Sequence, residues 1–371
     1  MATQEDKFFA AAKQAEAPAQ TAAEKPRRTW QQLGKRIVIE VIVGYLLLCL
    51  GLYLFQKRIV YMPDKVDAKA DQSADAVLDP QEFGLAKQQG RLLSTKNKDN
   101  LTLRGWHISL SGDVLKEDKL AKAPAVVLFF CGNAGNRSDR VSKFRQLANM
   151  GIDVVCFDHR GYGDSEGSPN EEGLAADARA AWQFLISKGV SPQKIVLHGE
   201  SLGGGVATRL ASELCNENTP PGGLMLEATF TRLSDVGQKH YWFLPVSLIL
   251  NQKFPSVDRI PSVTCPILIL HGARDDLIPI QQGKDLFSAA RGASQSGMEK
   301  QFVELPACRH NDLGIVNSAE YRAAVLSFLQ KIAPNLEKPS ATPAKRRPEE
   351  GSRKRQPRKS EMKEAAKPDQ P

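Results

Sequence analysis

The chain has 371 residues, a formal net charge of +8 and 42% hydrophobic residues. Its length suits one α/β domain with extensions at both ends, since such domains often reach about 250 residues. Its six cysteines have neither the spacing of a disulfide framework nor that of a zinc site, and no phosphate-binding loop is present. The sequence therefore argues against a small disulfide-stapled domain, and we expect no cofactor and no metal ion.

An apolar segment near the N-terminus predicts a membrane anchor. Residues 37–55 are almost wholly apolar, with Glu40 as the one interruption, and this length suits a helix that crosses a bilayer. The polar segment 1–36 is long and no small-residue cleavage pattern follows the apolar run, which favours an uncleaved anchor over a removed signal peptide. Five basic residues precede the run and four follow it, so the positive-inside rule slightly favours a folded domain on the non-cytoplasmic face.

The segment from about residue 60 to 335 alternates strand-like and helix-like runs, which predicts one α/β domain with a mainly parallel sheet of about eight strands and helices on both faces. Residues 228–261 interrupt this alternation and are predicted to form a small cap. Its apolar residues could form one wall of an acyl pocket, or could belong to two short helices packed on the domain. The predicted strands are 91–94, 101–109, 125–130, 152–157, 194–198, 223–226, 266–270 and 301–305, and the predicted helices are 139–150, 171–188, 204–214, 281–291 and 318–332.

A small-residue loop follows the strand at 125–130. It reads Cys131-Gly132-Asn133-Ala134-Gly135-Asn136, and its small residues allow the backbone to approach a substrate oxygen. We predict that the Asn133 amide is one donor of an oxyanion hole, with the Ala134 amide as the alternative.

The order strand, sharp turn, helix surrounds Ser201 in the sequence Gly199-Glu200-Ser201-Leu202-Gly203. A serine at such a turn has a strained backbone that exposes its hydroxyl above the sheet edge, and the flanking glycines allow strand and helix to pack closely. The pattern predicts that Ser201 is a nucleophile and that the Leu202 amide is an oxyanion donor.

A serine nucleophile needs a base and an acid, which in this type of sheet follow it in the order acid, then histidine. Asp275 follows the strand at 266–270 and is the predicted acid, with Asp276 as the alternative because either aspartate could instead cap the turn. His310 is the histidine that lies beyond this acid-bearing turn, and it is the predicted base.

These motifs resemble those of the α/β-hydrolase superfamily of serine hydrolases, in particular a membrane-anchored branch with a Gly-Asn-Ala-Gly-Asn loop that includes protein depalmitoylases. The matching residues are Gly132 to Asn136, Asp158 to Ser165, Gly199 to Gly204, His271 with Gly272 and Asp275, and His310. Members usually have histidine before the glycine of the loop, whereas this chain has Cys131. The resemblance implies a triad of Ser201, His310 and Asp275 that cleaves an ester or thioester through an acyl-enzyme, with a lipid-borne substrate as one candidate.

Two other functions remain open at this point. A serine peptidase could use the same triad, and an inert hydrolase scaffold could serve as a membrane-tethered interaction protein. The tail 337–371 is rich in Pro, Lys and Arg and is predicted to be disordered. If it has a partner, an anionic membrane surface is favoured over nucleic acid.

Overall fold

The computed structural model describes residues 30–66, 78–110, 114–116 and 118–336. The predicted disordered tail and most of the predicted polar segment at the N-terminus lie outside these residues. One long helix, α1 (Trp30–Val60), begins the described chain, and it is long and apolar enough to cross a membrane. It contains the whole predicted span and extends it at both ends.

The centre of the domain is an eight-stranded sheet. Its strands are β2 (Gly90–Lys96), β3 (Thr102–Ile108), β4 (Val126–Phe130), β6 (Asp153–Phe157), β7 (Ile195–Glu200), β8 (Gly223–Glu227), β9 (Ile267–Gly272) and β10 (Gln301–Leu305). They lie in the order β10-β9-β8-β7-β4-β6-β3-β2. All neighbouring pairs are parallel except those that β3 forms with β2 and with β6. A mostly parallel sheet with helices around it confirms the predicted fold class.

Two short strands, β1 (Met62–Pro63) and β5 (Ala134–Gly135), form a separate parallel pair beside this sheet. The first directly follows α1, and the second lies in the loop after β4. The pair therefore joins the end of the apolar helix to the loop that carries the predicted oxyanion donor.

The helices cover both faces of the sheet, because the central strands are apolar on both sides. Every residue of β4 and β6 is buried, and the core accordingly divides into two clusters. The helices after α1 are α2 (Lys119–Lys122), α3 (Val141–Ala148), α4 (Glu171–Ser187), α5 (Leu202–Asn216), α6 (Leu233–His240), α7 (Val246–Ile249), α8 (Ser256–Arg259), α9 (Ile280–Ala289) and α10 (Ser318–Ile332).

Two predicted elements differ from the structure in their form. The helix predicted at 139–150 is α3, which is shorter and follows a 3-10 turn at Arg137–Arg140. Asn136 caps that turn, because its side chain accepts from the Ser138 amide.

The predicted small cap at 228–261 contains three short helices, α6 to α8, rather than two. Prolines occupy the N-cap positions of α7 and α8 and divide the segment.

Candidate active site

Ser201 lies at a strained turn between β7 and α5. Its backbone has φ 53° and ψ −117°, a conformation that residues other than glycine adopt at a cost of about 1–3 kcal/mol. Three hydrogen bonds hold it there: the Ser201 amide donates to the Glu227 carbonyl at 2.9 Å, and the Ser201 carbonyl accepts from Thr229 Oγ1 at 2.8 Å and the Gly204 amide at 2.9 Å. The elbow geometry that the sequence predicts is therefore present.

Glycine is required directly after this turn because the preceding loop touches the start of α5. A Cβ on Gly203 would lie 2.1 Å from the Phe130 carbonyl oxygen, at the end of β4. The close approach places the loop after β4 beside Ser201. Leu202 is the first residue of α5, where backbone N–H groups have no partner within the helix and can donate to a ligand.

His310 connects Ser201 to Asp275. His310 Nε2 lies 3.1 Å from Ser201 Oγ, and His310 Nδ1 lies 2.8 Å from Asp275 Oδ2. A carboxylate acceptor at Nδ1 favours the tautomer that carries its proton there, which leaves Nε2 free to accept from the serine hydroxyl. The structure brings together the three side chains that the sequence predicted as nucleophile, base and acid.

The two candidate aspartates have different surroundings. The Asp275 side chain is buried, and its other oxygen, Oδ1, accepts from the amides of Leu277 and Ile278 at 3.0 and 2.8 Å. Burial raises the pKa of Asp275, but hydrogen bonds from His271 and His310 outweigh it and hold the pKa below its ordinary range. Asp276 is exposed. Asp275 thus fills both roles that the sequence offered for this pair, since it binds the histidine and also caps the turn.

The predicted oxyanion residue Asn133 is held by contacts from two parts of the chain. Its carbonyl accepts from the Met62 amide at 2.9 Å and from Tyr162 Oη at 2.8 Å. Its side-chain amide donates to the Val60 carbonyl at 3.1 Å. The last residue of α1 and the strand that follows it therefore orient the loop residue expected to bind the oxyanion. Nothing in the local sequence around Asn133 indicates this contact.

Arg137 is a structural residue of this site that the sequence analysis did not identify. Its guanidinium is fully buried and forms ion pairs with Asp158 and Asp164. These aspartates belong to the Asp158 to Ser165 motif, so the ion pairs tie that motif to the loop that contains Asn133. The Cys131 thiol, which begins the same loop, lies 3.6 Å from the Cys156 thiol.

Glu227 is a second group that pattern recognition missed. It ends β8, its carbonyl binds the Ser201 amide, and its buried carboxylate contacts Lys143, His198 at 3.1 Å and Tyr321 Oη at 3.0 Å. Burial raises the pKa of Glu227, but Lys143 and His198 outweigh this effect and lower it to about 2. The ionised carboxylate therefore holds the end of β8 in place through these contacts, and the Glu227 carbonyl at that strand end binds the Ser201 amide.

A polar cleft of about 710 Å³ lies beside His310. Arg145 and Arg322 line it, and within the described residues neither forms an ion pair with a carboxylate, while the Arg145 guanidinium donates to the Gly84 carbonyl at 2.6 Å. Lys143 and Arg140 also reach the cleft, but they are paired with Glu227 and Glu200. The carboxylates of Asp139, Glu200 and Glu227 line the cleft as well, so its four cationic side chains exceed its carboxylates by one. The cleft therefore has a small excess of positive charge beside the imidazole.

Comparisons with known proteins agree with the fold. A family model described as serine aminopeptidase S33 matches residues 121–257. An uncharacterized protein of Mycobacterium tuberculosis is 34% identical over 301 residues, which cover 80% of this chain and 96% of that protein. Lysophosphatidylserine lipase ABHD12 of Mus musculus is 31% identical over 340 residues, which cover 81% of this chain and 84% of the lipase.

Solved structures support the same fold at lower identity. An esterase of Pyrococcus furiosus superposes with a TM-score of 0.54 at 18% identity, covering 73% of this chain and 98% of the esterase. An α/β hydrolase of Vibrio vulnificus gives a TM-score of 0.52 at 21% identity, covering 70% of this chain and 85% of that chain. Because the identity to ABHD12 extends over most of both chains, the protein belongs to the α/β-hydrolase family of serine hydrolases, among the carboxylic ester hydrolases that include ABHD12.

Proposed function

We propose that the protein is a membrane-anchored lipid esterase in which Ser201, His310 and Asp275 form the catalytic triad. The observation that carries this proposal is the continuous hydrogen-bonded chain from Ser201 Oγ through His310 to Asp275, at 3.1 and 2.8 Å. The similarity to the lysophosphatidylserine lipase ABHD12 supports a lipid ester as substrate.

In the proposed reaction, His310 Nε2 takes the proton of Ser201 Oγ as the oxygen attacks the ester carbonyl. The resulting oxyanion accepts hydrogen bonds from the Leu202 and Asn133 amides. The tetrahedral intermediate collapses as His310 returns the proton to the leaving alcohol, which gives an acyl-enzyme and a free alcohol. Water, deprotonated by the same imidazole, then attacks the acyl-enzyme, and His310 returns the proton to Ser201 Oγ as the bond between that oxygen and the acyl group breaks and the fatty acid leaves. Asp275 stabilises the imidazolium form of His310 during both acylation and deacylation.

The polar cleft supports a substrate with an anionic headgroup. His310 must lie next to the leaving alcohol in order to protonate it, and the cleft with Arg145 and Arg322 lies beside His310. We infer that the headgroup is bound there and that the substrate is a lysophospholipid, as the name of the relative also suggests.

A substrate panel with the purified full-length protein tests this function. We expect hydrolysis of p-nitrophenyl esters, and faster release of fatty acid from an anionic lysophospholipid than from an uncharged monoacylglycerol of the same chain length. A thioester in the panel tests the alternative acyl bond. Preference for an aminoacyl amide would favour the peptidase, and the absence of both turnover and fluorophosphonate labelling would favour an inert scaffold.

We also propose that α1 spans the bilayer through residues 37–55, with the hydrolase domain on the non-cytoplasmic face. Full-length protein should remain in the membrane fraction after high-salt and carbonate washes, because burial in hydrocarbon is insensitive to ionic screening, unlike binding of basic residues to headgroups. Release by salt would contradict the spanning model. Protease protection of the domain in sealed vesicles tests the orientation.

The contacts of Asn133 predict that Tyr162 positions the oxyanion loop. Tyr162→Phe removes one of the two donors to the Asn133 carbonyl, and kcat for a soluble ester should fall about three- to tenfold while KM changes little. Tyr61→Phe is the matched control, since the Tyr61 hydroxyl binds Gln252 in the cap and not Asn133. An equal loss of kcat in both variants would indicate a general packing defect instead of an effect on the oxyanion loop.

A further inference from the structure

The cap carries an exposed apolar surface next to the apolar helix. Trp242 and Leu248 are 80% and 82% exposed, and Tyr241 and Phe243 are about half exposed. We call these four residues the cap patch. Large aromatic and aliphatic side chains grouped at this exposure mark a surface that contacts another apolar phase.

Hydrogen bonds at three heights, two along α1 and one just beyond its end, connect the cap to this part of the chain. Tyr45 Oη donates to the Phe243 carbonyl at 2.8 Å. Gln56, which is buried, donates to the Ile249 carbonyl at 3.3 Å and accepts from the Asn251 amide at 2.7 Å. Beyond the end of the helix, Tyr61 Oη donates to Gln252 Oε1 at 2.8 Å. The cap segment 243–252 thus runs along the helix in the same direction as residues 45–61.

The depth of the cap follows from these heights, and this step rests on the proposed span. The 11 residue-to-residue steps from Tyr45 to Gln56 rise about 16 Å along an α-helix. One leaflet contributes about 15 Å of hydrocarbon. If Gln56, Lys57 and Arg58 mark the headgroup level at the domain side, the Phe243 carbonyl lies on the hydrocarbon side of it.

We propose that the cap patch is inserted into the acyl chains of the leaflet that faces the hydrolase domain. Its side chains are apolar, and the exposed Lys57 and Arg58 are placed to meet the headgroups at the domain end of the helix. The domain is therefore attached to the leaflet by two elements, the spanning helix and the cap, which brings the active-site region close to lipid substrates.

Tryptophan fluorescence in vesicles tests this insertion in the full chain. The protein has four tryptophans, of which Trp106 and Trp182 are buried and Trp30 lies at the other end of α1. In a Trp30→Phe background, Trp242 is the one strongly exposed indole within the described residues. The protein is reconstituted in phosphatidylcholine vesicles with bromine on the acyl chains, and carbonate-washed vesicles are used for the measurement.

We expect the acyl-chain bromines to quench part of the tryptophan emission. Iodide in the aqueous phase should not quench this part of the emission. The Trp242→Phe variant should lack the component that the bromines quench. Quenching by iodide but not by bromolipid would mean that the patch faces water and would overturn the proposal. Quenching by neither would mean that protein covers the patch, for example a second copy of the chain, and would also overturn it. Loss of the protein in the carbonate wash would instead reject the spanning helix.

An activity measurement adds an independent readout. Leu248→Glu introduces a charge into the patch, and hydrolysis of a vesicle-borne lipid ester should fall about tenfold while hydrolysis of a soluble ester is unchanged. Ile186→Glu, a charge on an exposed apolar residue at the end of α4, should leave both rates unchanged. Equal activity of Leu248→Glu and the unaltered protein on vesicle-borne substrate would overturn a functional role for the insertion.

Discussion

Replacing Ser201 by alanine should lower the rate of ester hydrolysis by about 10⁵-fold, because the reaction then loses its nucleophile and retains only substrate binding and the oxyanion donors. The same variant should lose labelling by a fluorophosphonate probe, which reacts with an activated serine. The fold should be retained, since alanine keeps the Cβ and the three backbone hydrogen bonds of Ser201 are unaffected. Turnover of a p-nitrophenyl ester and probe labelling measure the two effects.

Ser142→Ala is the matched control for this experiment. Ser142 is exposed and lines the cleft beside His310, but it has no place in the proposed triad. Its replacement should leave labelling intact. Labelling that persists in Ser201→Ala would assign the nucleophile to another residue and would reject the proposed mechanism.

Asp275→Asn should reduce kcat by about 10⁴-fold, because an asparagine that replaces the carboxylate no longer fixes the tautomer of His310 or stabilises its imidazolium form. The structure also predicts a loss of stability, since Asp275 Oδ1 accepts from two backbone amides. Because the pKa of Asp275 is lowered in the folded protein, its ionised carboxylate stabilises the fold at pH values above 3.8, the ordinary pKa of the group. This stabilisation is lost as the pH falls through the folded-state pKa. Assays near pH 7 therefore compare the ionised carboxylate with the neutral amide.

Asp276→Asn provides the comparison at the neighbouring position. Asp276 is exposed, so its replacement should change kcat by less than about twofold. Parallel measurements of kcat and of the midpoint of thermal unfolding separate catalysis from stability. If Asp276→Asn is the severe change and Asp275→Asn the mild one, the acid lies one residue later than proposed.

Much of the fold could be predicted because its signals are local. The central strands are continuous apolar runs, buried on both faces, and the helices between them are amphipathic, so their alternation determines a mostly parallel sheet. The glycines around Ser201 identify the turn, because close contact such as that between Gly203 and Phe130 tolerates no side chain. Element ends were predicted less well. The 3-10 turn before α3 depends on the capping of Asn136, which the apolar pattern does not reveal.

The sequence by itself determined the order of the elements, the apolar helix and the residue types and chain order of Ser201, Asp275 and His310. These properties depend on neighbouring residues, and local periodicity and turn chemistry are sufficient to read them. Only the tertiary structure decided that Asp275 rather than Asp276 binds His310, that Val60 and Met62 hold Asn133, and that the cap runs along α1. Such contacts join residues from 35 to 198 positions apart, and they depend on how the packed elements bring those residues together.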